Sequence, residues 1–194
     1  LSKNRDMSQA TQYTTGSNGY TSSIELDAGT YYYREQFVPN PLIVDTTVRP
    51  VTIETGQSTE VIVKNQVAKG KIVLEKRDTE TRELLKDAQY TVYSDKALSN
   101  VVEMLITDEQ GAAESSILPL GTYYLKETKS PEGYLEDETV TVVNLEYKDQ
   151  VTKVIVRDFS LKNQVIKGKI QIVKFEENQK TPIKGAVFTV KDKA

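Results

Sequence analysis

The sequence repeats itself at a spacing close to the size of one small domain. The nine residues 64–72, KNQVAKGKI, return almost unchanged as KNQVIKGKI at 162–170, a spacing of 98 residues (163 − 65 = 98). A second stretch, GTYYYRE at 29–35, is matched by GTYYLKE at 121–127, a spacing of 92 residues (127 − 35 = 92). Repeats of this length indicate domains of roughly 100 residues arranged in series, as in an extended stalk.

The repeated segments predict how the chain is divided. Residues 69–165 hold one complete repeat, and residues 1–66 hold the back part of an earlier repeat whose first strand is missing. Residues 168–194 hold the first strands of a further repeat. We therefore interpret the chain as a window from a tandem array, in which neighbouring repeats of the same chain are each other's partners.

Composition and patterning favour an all-β fold. The chain is rich in Thr, Val and Tyr, and stretches of alternating apolar and polar residues are separated by the turn signals DEQG, PLG, SPEG and YKDQ. Within the complete repeat we predict strands near 70–77, 88–93, 101–107, 113–118, 122–128, 138–145 and 151–163. About seven short antiparallel strands are typical of a β-sandwich with an immunoglobulin-like arrangement, so the chain is expected to form such sandwiches in tandem. The first and last strands are expected to lie side by side.

Three polar residues interrupt the apolar faces of these strands. Lys76, Glu127 and Asn163 each occupy a position where the alternation of the strand predicts an inward-facing apolar side chain. An isolated buried charge is costly unless it is paired, neutralised or used. We therefore predict that the three side chains meet inside the sandwich. The incomplete repeats carry equivalents of all three, which are Lys174, Glu35 and Asn65.

A meeting of these groups predicts a specific reaction. Burial lowers the pKa of an amine and raises that of a carboxyl group, so Lys76 can act as a neutral nucleophile and Glu127 as a proton carrier. Attack of the amine on the side-chain carbonyl carbon of Asn163 expels ammonia and leaves an amide. The chain would modify itself once, without a cofactor or metal, and is not an enzyme that turns over. The simpler explanations are a lysine that reaches solvent, a glutamate that accepts backbone hydrogen bonds and an asparagine that forms a turn.

The residues around these positions resemble a known family. The stretch YYLKET at 123–128, followed by Pro131, Gly133 and Tyr134, is similar to the E-box of Gram-positive pilins and of Cna protein B-type repeats. The stretches LEKRD at 74–78 and KNQ at 162–164 are similar to the lysine and asparagine motifs of the same family. In the first repeat, EQFVP at 35–39 keeps the Glu and the Pro of the E-box but has no Thr and no Gly-Tyr.

The resemblance implies a fold, a covalent bond and a location. The fold is a prealbumin-like (SpaA-like) β-sandwich, closed by an intramolecular Lys–Asn isopeptide bond for which the E-box glutamate, Glu127 or Glu35, is catalytic. The implied bonds join Lys76 to Asn163 in the complete repeat, and use Asn65 and Lys174 in the two incomplete repeats to which they belong. The family also implies an extracellular stalk or adhesin segment, anchored to a Gram-positive cell wall outside this segment.

Composition narrows the alternatives. The chain has no Cys, His or Trp, so it lacks disulfides, the usual nucleophile–base pairs and the common zinc ligands, which disfavours a classical hydrolase. A net charge of −3 offers no basic surface for nucleic acid, and no apolar run reaches the roughly 20 residues of a membrane span. The alternative function is a binding module, in which an exposed sheet face or the loop near 94–101 recognises a host glycoprotein or an extracellular-matrix protein.

Overall fold

The computed structural model describes residues 1–177 and 180–191, and every regular element in this part of the chain is a β-strand. The expected all-β class is confirmed. No helix in the described residues is long and apolar enough to cross a membrane. The twelve strands are β1 Gly29–Tyr33, β2 Leu42–Ile43, β3 Arg49–Ile53, β4 Gln66–Val67, β5 Lys69–Asp78, β6 Gln89–Tyr93, β7 Val101–Ile106, β8 Ala112–Glu114, β9 Leu118–Pro119, β10 Gly121–Lys129, β11 Val140–Leu145 and β12 Val154–Asn163.

Strands β5 to β12 form a two-layer sandwich. One layer has the order β11–β10–β6–β7 and is antiparallel throughout. The other has the order β12–β5–β8, with β9 also pairing with β5. Because successive side chains of a strand point to opposite faces, each strand gives its apolar face to one core. The buried members of that core are Ile72, Leu74, Ala88, Tyr90, Val92, Leu105, Ala113, Leu118, Tyr123, Leu125, Val143 and Leu145.

The first and last strands of the complete repeat lie side by side, as expected, but they run parallel rather than antiparallel. Strands β5 and β12 pair over ten residues, with Lys76 opposite Leu161 and Asp78 opposite Asn163. Parallel neighbours cannot be joined by a hairpin, and here the intervening chain contributes strands to both layers before it returns as β12. This orientation brings Lys76 and Asn163 to the same end of the sheet.

The single strand predicted at 113–118 is in fact two short strands, β8 and β9. The interruption lies at Ser115, which is buried beside β5. Its backbone N–H donates to the carbonyl oxygen of Ile72 at 2.8 Å, and its side-chain Oγ accepts from the N–H of Ile72 at 2.9 Å. A side-chain oxygen thus replaces a backbone carbonyl in the ladder, which ends β8 without leaving the Ile72 N–H unpaired.

Residues 1–67, called here the N-terminal unit, form two small sheets, one of β1 with β3 and one of β2 with β4. The segment 56–65 is the equivalent of β12 in the repeat, yet it forms no strand. In the complete repeat β12 pairs with β5, and the N-terminal unit contains no β5-like strand. The unit contacts the sandwich near the start of β5, where the N–H of Ala68 donates to the carbonyl of Pro41 at 2.9 Å.

The segment after the sandwich, called here the C-terminal segment, covers the described residues 166–177 and 180–191. The first strands expected here are not formed as strands, because no neighbouring strand pairs with them in the described structure. An isolated bridge joins Phe175 to Pro182. The remainder of the prediction for 168–194 falls on residues 178–179 and 192–194, which lie outside the described residues.

Gly111 lies in the turn between β7 and β8 and accepts a backbone hydrogen bond from β5. Its backbone has φ +64°, a left-handed conformation that favours glycine. Its carbonyl accepts the N–H of Lys76 at 2.7 Å, and a Cβ at this position would lie 2.7 Å from the Lys76 carbonyl oxygen. Both the conformation and the close backbone approach therefore require glycine here.

We expect Gly111→Ala to lower the free energy of unfolding by about 2–4 kcal/mol, since left-handed backbone costs an alanine about 1–2 kcal/mol and the backbone contact adds strain. Gly133→Ala is the matched control, because Gly133 has φ +84° but a Cβ added there would meet nothing within 4 Å. It should lose only about 1 kcal/mol. Urea denaturation measures both values, and equal losses would contradict the role given to the close contact.

Candidate functional site

Strand β5 carries Lys76 into the core. The side chain lies on the same face as Ile72 and Leu74 and is 0% exposed. Its Nζ donates a hydrogen bond to the hydroxyl of Tyr90 and lies 3.2 Å from Oε1 of Glu127. The lysine therefore does not reach solvent, and its amine is held between a phenol and a carboxylate.

Strand β10 carries Glu127 to the same place. The residue follows Tyr123 and Leu125 on the inward face and is 0% exposed. One carboxylate oxygen, Oε2, accepts the backbone N–H of Asp137 at 2.6 Å and the side-chain Nδ2 of Asn163 at 2.8 Å. The other, Oε1, faces the Lys76 amine. Glu127 therefore lies between the amine and the carboxamide.

Asn163 is the last residue of β12 and is 2% exposed. Its Nδ2 donates to Oε2 of Glu127 and also to the backbone carbonyl of Leu135 at 2.6 Å. Both amide hydrogens are thus used, which fixes the plane of the carboxamide. The structure brings together Lys76, Glu127 and Asn163, the three residues that the sequence placed on inward strand faces.

Two oxygen atoms of the site are incompletely satisfied. Among the described residues, the buried side-chain atoms without a hydrogen-bond partner are Oε1 of Glu127 and Oδ1 of Asn163. The 3.2 Å approach of Lys76 to Oε1 is close enough for an ion pair but lacks hydrogen-bond geometry. Leaving such an atom unpaired costs about 1–3 kcal/mol, more for a charged group. The site is therefore polar and buried, and the rest of the fold offsets the free-energy cost of its unpaired oxygen atoms.

Burial sets the protonation of the amine. Desolvation lowers the pKa of Lys76 below its ordinary value, and the charges of Glu127 and Asp137 only partly oppose that effect. The pKa of Tyr90 is raised, first by burial and then by the same two carboxylates, so its hydroxyl keeps its proton. A lowered amine pKa increases the fraction of Lys76 that is uncharged, which is the nucleophilic form.

Three contributors to the site were missed in the sequence. Tyr90 lies on the inward face of β6 between Ala88 and Val92, and its hydroxyl needs a partner once it is buried. The alternation of β6 is the signal that would have found it. The other two, the carbonyl of Leu135 and the N–H of Asp137, are backbone groups in the connection between β10 and β11. No side-chain pattern identifies them.

The N-terminal unit reproduces the glutamate–asparagine half of this site. The side-chain Nδ2 of Asn65 donates to Oε2 of Glu35 at 2.5 Å and to the carbonyl of Ile43 at 3.0 Å. The N–H of Asp45 donates to the same Glu35 oxygen at 2.8 Å. These contacts match, position by position in the repeat, those among Asn163, Glu127, Leu135 and Asp137. We call Glu35, Ile43, Asp45 and Asn65 the half-site.

The half-site differs from the complete site in its lysine and its exposure. Among the described residues no ion pair joins a lysine to Glu35. Glu35 and Asn65 are half-buried, and the neighbouring cavity has a volume of about 230 Å³. Lys174, the other lysine of the prediction, is exposed in the C-terminal segment. The structure therefore does not bring Glu35, Asn65 and Lys174 together within one chain.

Comparison with known proteins identifies the fold family of the sandwich. Residues 70–158 match the family model described as SpaA, a prealbumin-like fold domain. The comparison with curated protein sequences found no significant match.

Solved structures with a similar fold include the TIE protein of Bacillus anthracis, which is 25% identical with a TM-score of 0.60 over 79% of this chain and 28% of that one. The major pilin subunit BcpA of Bacillus cereus is 24% identical with a TM-score of 0.41, over 49% of this chain and 28% of that one. The major pilin SpaD of Corynebacterium diphtheriae is 21% identical with a TM-score of 0.39, over 50% of this chain and 30% of that one.

The chain thus spans less than a third of each of these three proteins. The family match covers strands β5 to β11 and the first residues of β12, which are the strands of the sandwich that contains Lys76, Glu127 and Asn163. Residues 70–158 of this chain are therefore similar to the SpaA family of prealbumin-like fold domains.

Proposed function

We propose that the sandwich closes itself with an amide bond between Nζ of Lys76 and Cγ of Asn163, and that it serves as a load-bearing segment of a Gram-positive surface protein. The observation that carries this proposal is the position of Glu127. Its carboxylate contacts the amine through one oxygen and the carboxamide through the other, and all three side chains are buried.

The reaction needs only the groups that are present. The neutral amine of Lys76 attacks Cγ of Asn163, a C–N bond forms and the carbonyl oxygen becomes an oxyanion. Glu127, as the proton carrier, takes a proton from the attacking nitrogen and gives one to the leaving nitrogen. The original C–N bond of the carboxamide then breaks, and ammonia leaves. Because both reactants are held in one rigid core, the attack has an effective molarity of roughly 10⁵ M or more.

The bond would change how the domain responds to tension. Strands β5 and β12 are parallel, so the start of β5 and the end of β12 lie at opposite ends of the sandwich. Force that enters at Lys69 would pass along β5 to Lys76, cross the amide and leave at Asn163. The strands between these two residues would carry little load. This arrangement suits a stalk. Thiol reductants do not cleave an amide, and the chain has no cysteine whose disulfide they could reduce.

The family match supports the wider role. Residues 70–158 match the SpaA prealbumin-like fold domain, and the TIE protein of Bacillus anthracis shares the fold at a TM-score of 0.60. We therefore place this chain in an extracellular, wall-attached stalk or pilus rather than among enzymes. The reaction of Lys76 with Asn163 occurs once in each domain and leaves no free catalyst.

Intact-protein mass under denaturing conditions tests the bond directly. The wild-type chain should be lighter than its sequence mass by one ammonia, and peptide mapping should join Lys76 to Asn163. Lys76→Ala, Asn163→Ala and Glu127→Gln should each retain the full sequence mass. Lys71→Ala is the matched control, since Lys71 lies on the same strand but pairs with Glu114 outside the core, and it should still lose ammonia. A full-mass wild-type chain would overturn the proposal.

The contribution of the bond to stability is measured best without leaving a buried charge unpaired. The double variant Lys76→Met with Glu127→Gln removes the bond and both charges while nearly preserving volume. We expect its free energy of unfolding to fall by about 4–5 kcal/mol, because a loop of about 87 residues is no longer closed in the unfolded chain. Urea denaturation measures the difference. A change below about 1 kcal/mol would show that the bond does not restrict the unfolded ensemble as inferred.

A second candidate function, binding of a host matrix protein, has one observation in its favour. The outer face of the β11–β10–β6–β7 layer exposes the apolar side chains of Met104 and Ile106 on one edge strand and Val142 on the other. We expect Met104→Lys with Val142→Lys to abolish capture of immobilised matrix protein without changing the intact mass, if this face is the binding surface. Unchanged capture would exclude it.

A further inference from the structure

Tyr90 is buried beside the reacting amine, yet the reaction proposed above gives it no role. Strand β6 places Tyr90 directly opposite Glu127 of β10, and the residue is 4% exposed. Residues that face each other across two antiparallel strands have Cβ atoms about 4.5–5.5 Å apart. The register of β6 with β10 therefore sets the phenol and the carboxylate side by side on the inward face.

The amine of Lys76 makes its hydrogen bond to the phenol rather than to the carboxylate. Its Nζ donates to the hydroxyl of Tyr90, whereas Oε1 of Glu127, 3.2 Å away, has no hydrogen bond. The same Nζ lies 5.0 Å from the centre of the Tyr90 ring. The buried amine thus has two oxygen atoms within reach, and it is bonded to the uncharged one.

The choice of acceptor affects the protonation of the amine. A hydrogen bond between an ammonium and a carboxylate is charge-assisted, and it is about twice as strong as a bond between neutral groups. Such a bond favours the charged form of lysine, which is not a nucleophile. The phenol adds no charge of its own, because burial, followed by the charges of Glu127 and Asp137, raises the pKa of Tyr90 and keeps its proton in place.

We propose that Tyr90 is a positioning residue for the bond between Lys76 and Asn163. Its hydroxyl holds the amine of Lys76 away from a direct hydrogen bond with Glu127, so that the amine loses its proton more readily. This inference rests on the proposed function, and it adds a fourth side chain to the reaction. Tyr90 itself gains and loses no proton and forms no covalent bond, so the balance of the reaction is unchanged.

The groups around the amine come from several elements. Among the described residues, the titratable groups that act on Lys76 are Tyr90 from β6, Glu127 from β10 and Asp137 from the connection between β10 and β11. Strand β12 contributes the uncharged carboxamide of Asn163 to the site. Burial lowers the pKa of Lys76, and the two carboxylates oppose that effect. Tyr90 decides how closely the nearer carboxylate can do so.

Removal of the Tyr90 hydroxyl has two opposite effects on the pKa of Lys76. The ammonium loses a neutral acceptor, which lowers the pKa. The amine, already 3.2 Å from Oε1 of Glu127, is then free to turn and bond that oxygen, which raises the pKa. Because the charge-assisted bond is about twice as strong as the bond that is lost, the second effect prevails. Tyr90→Phe should therefore contain less neutral amine at neutral pH.

The repeat itself indicates that phenylalanine is acceptable at this position. The stretch DAQYTV at 87–92 is matched by GAVFTV at 185–190, with the same spacing of 98 residues (188 − 90 = 98). Phe188 thus takes the place of Tyr90 in the next copy of the motif. We therefore expect Tyr90→Phe to fold, and the hydroxyl to adjust the reaction rather than the fold.

The rate of ammonia loss during refolding tests the inference. Each full-length chain is collected unfolded from inclusion bodies at its full sequence mass, refolded by dilution and quenched at intervals for intact-mass measurement. At neutral pH Tyr90→Phe should lose ammonia about tenfold more slowly than the wild type, and its rate should rise with pH about one unit later. The two rates should converge towards about pH 10, where the amine is neutral in both chains.

Tyr123→Phe is the matched control. The Tyr123 hydroxyl donates to the carbonyl of Pro119 at 3.0 Å, and the residue lies on the inward face of β10, four positions before Glu127. The substitution therefore also removes one hydroxyl hydrogen bond from the sandwich, but not the one to Lys76. Its rate should follow the wild-type dependence on pH. Circular dichroism follows the refolding of each chain, so slow folding is distinguished from slow bond formation.

The outcomes separate this inference from the proposed function. A wild type that loses ammonia, with Tyr90→Phe equal to it in rate and pH dependence, overturns the inference and leaves the proposed function intact. Equal slowing of Tyr90→Phe and Tyr123→Phe, or a shift of the Tyr90→Phe profile to lower pH, also overturns it. A Tyr90→Phe chain that fails to refold does the same, since the hydroxyl would then be required by the fold. A wild type that keeps its full mass overturns both.

Discussion

The rest of the structure depends on the contacts that the buried carboxylate of Glu127 makes with an amine on one side and a carboxamide on the other. Two opposite charges inside a protein lose several kcal/mol of hydration each, and their attraction repays this only with good geometry and further hydrogen bonds. Here the Asp137 N–H and Asn163 carboxamide bind one carboxylate oxygen, while the Lys76 amine lies near the other. The strand pairing of β5 with β12 maintains that geometry, because it brings Lys76 and Asn163 to one end of the sheet.

The two versions of the site show which parts are local and which are not. Glu35 and Asn65 adopt the same contacts as Glu127 and Asn163 although no β5-like strand lies beside them. The glutamate–asparagine half of the site is therefore built by a β10-like strand, the connection that follows it and the end of a β12-like segment. The lysine is added by a separate strand.

Much of the sandwich was predictable from the sequence, because its strands alternate strictly. The strands expected at 70–77, 101–107 and 122–128 lie within one or two residues of β5, β7 and β10. The expectation failed where a single side chain changed the ladder, as Ser115 did between β8 and β9. It also failed for the described residues of the C-terminal segment, where an alternating sequence forms no strand because no neighbouring strand pairs with it. Strand formation needs a neighbour, and the neighbour is not a local property.

The amino-acid sequence alone determined which side chains face inward, since alternation follows from the pleat of any extended backbone. It thereby identified Lys76, Glu127 and Asn163 as polar residues on apolar faces. Only the tertiary structure decided that β5 and β12 run parallel, that Tyr90 contacts the amine and that backbone groups of Leu135 and Asp137 hold the other two side chains. Those facts depend on sheet order and register between distant segments, which no local pattern encodes.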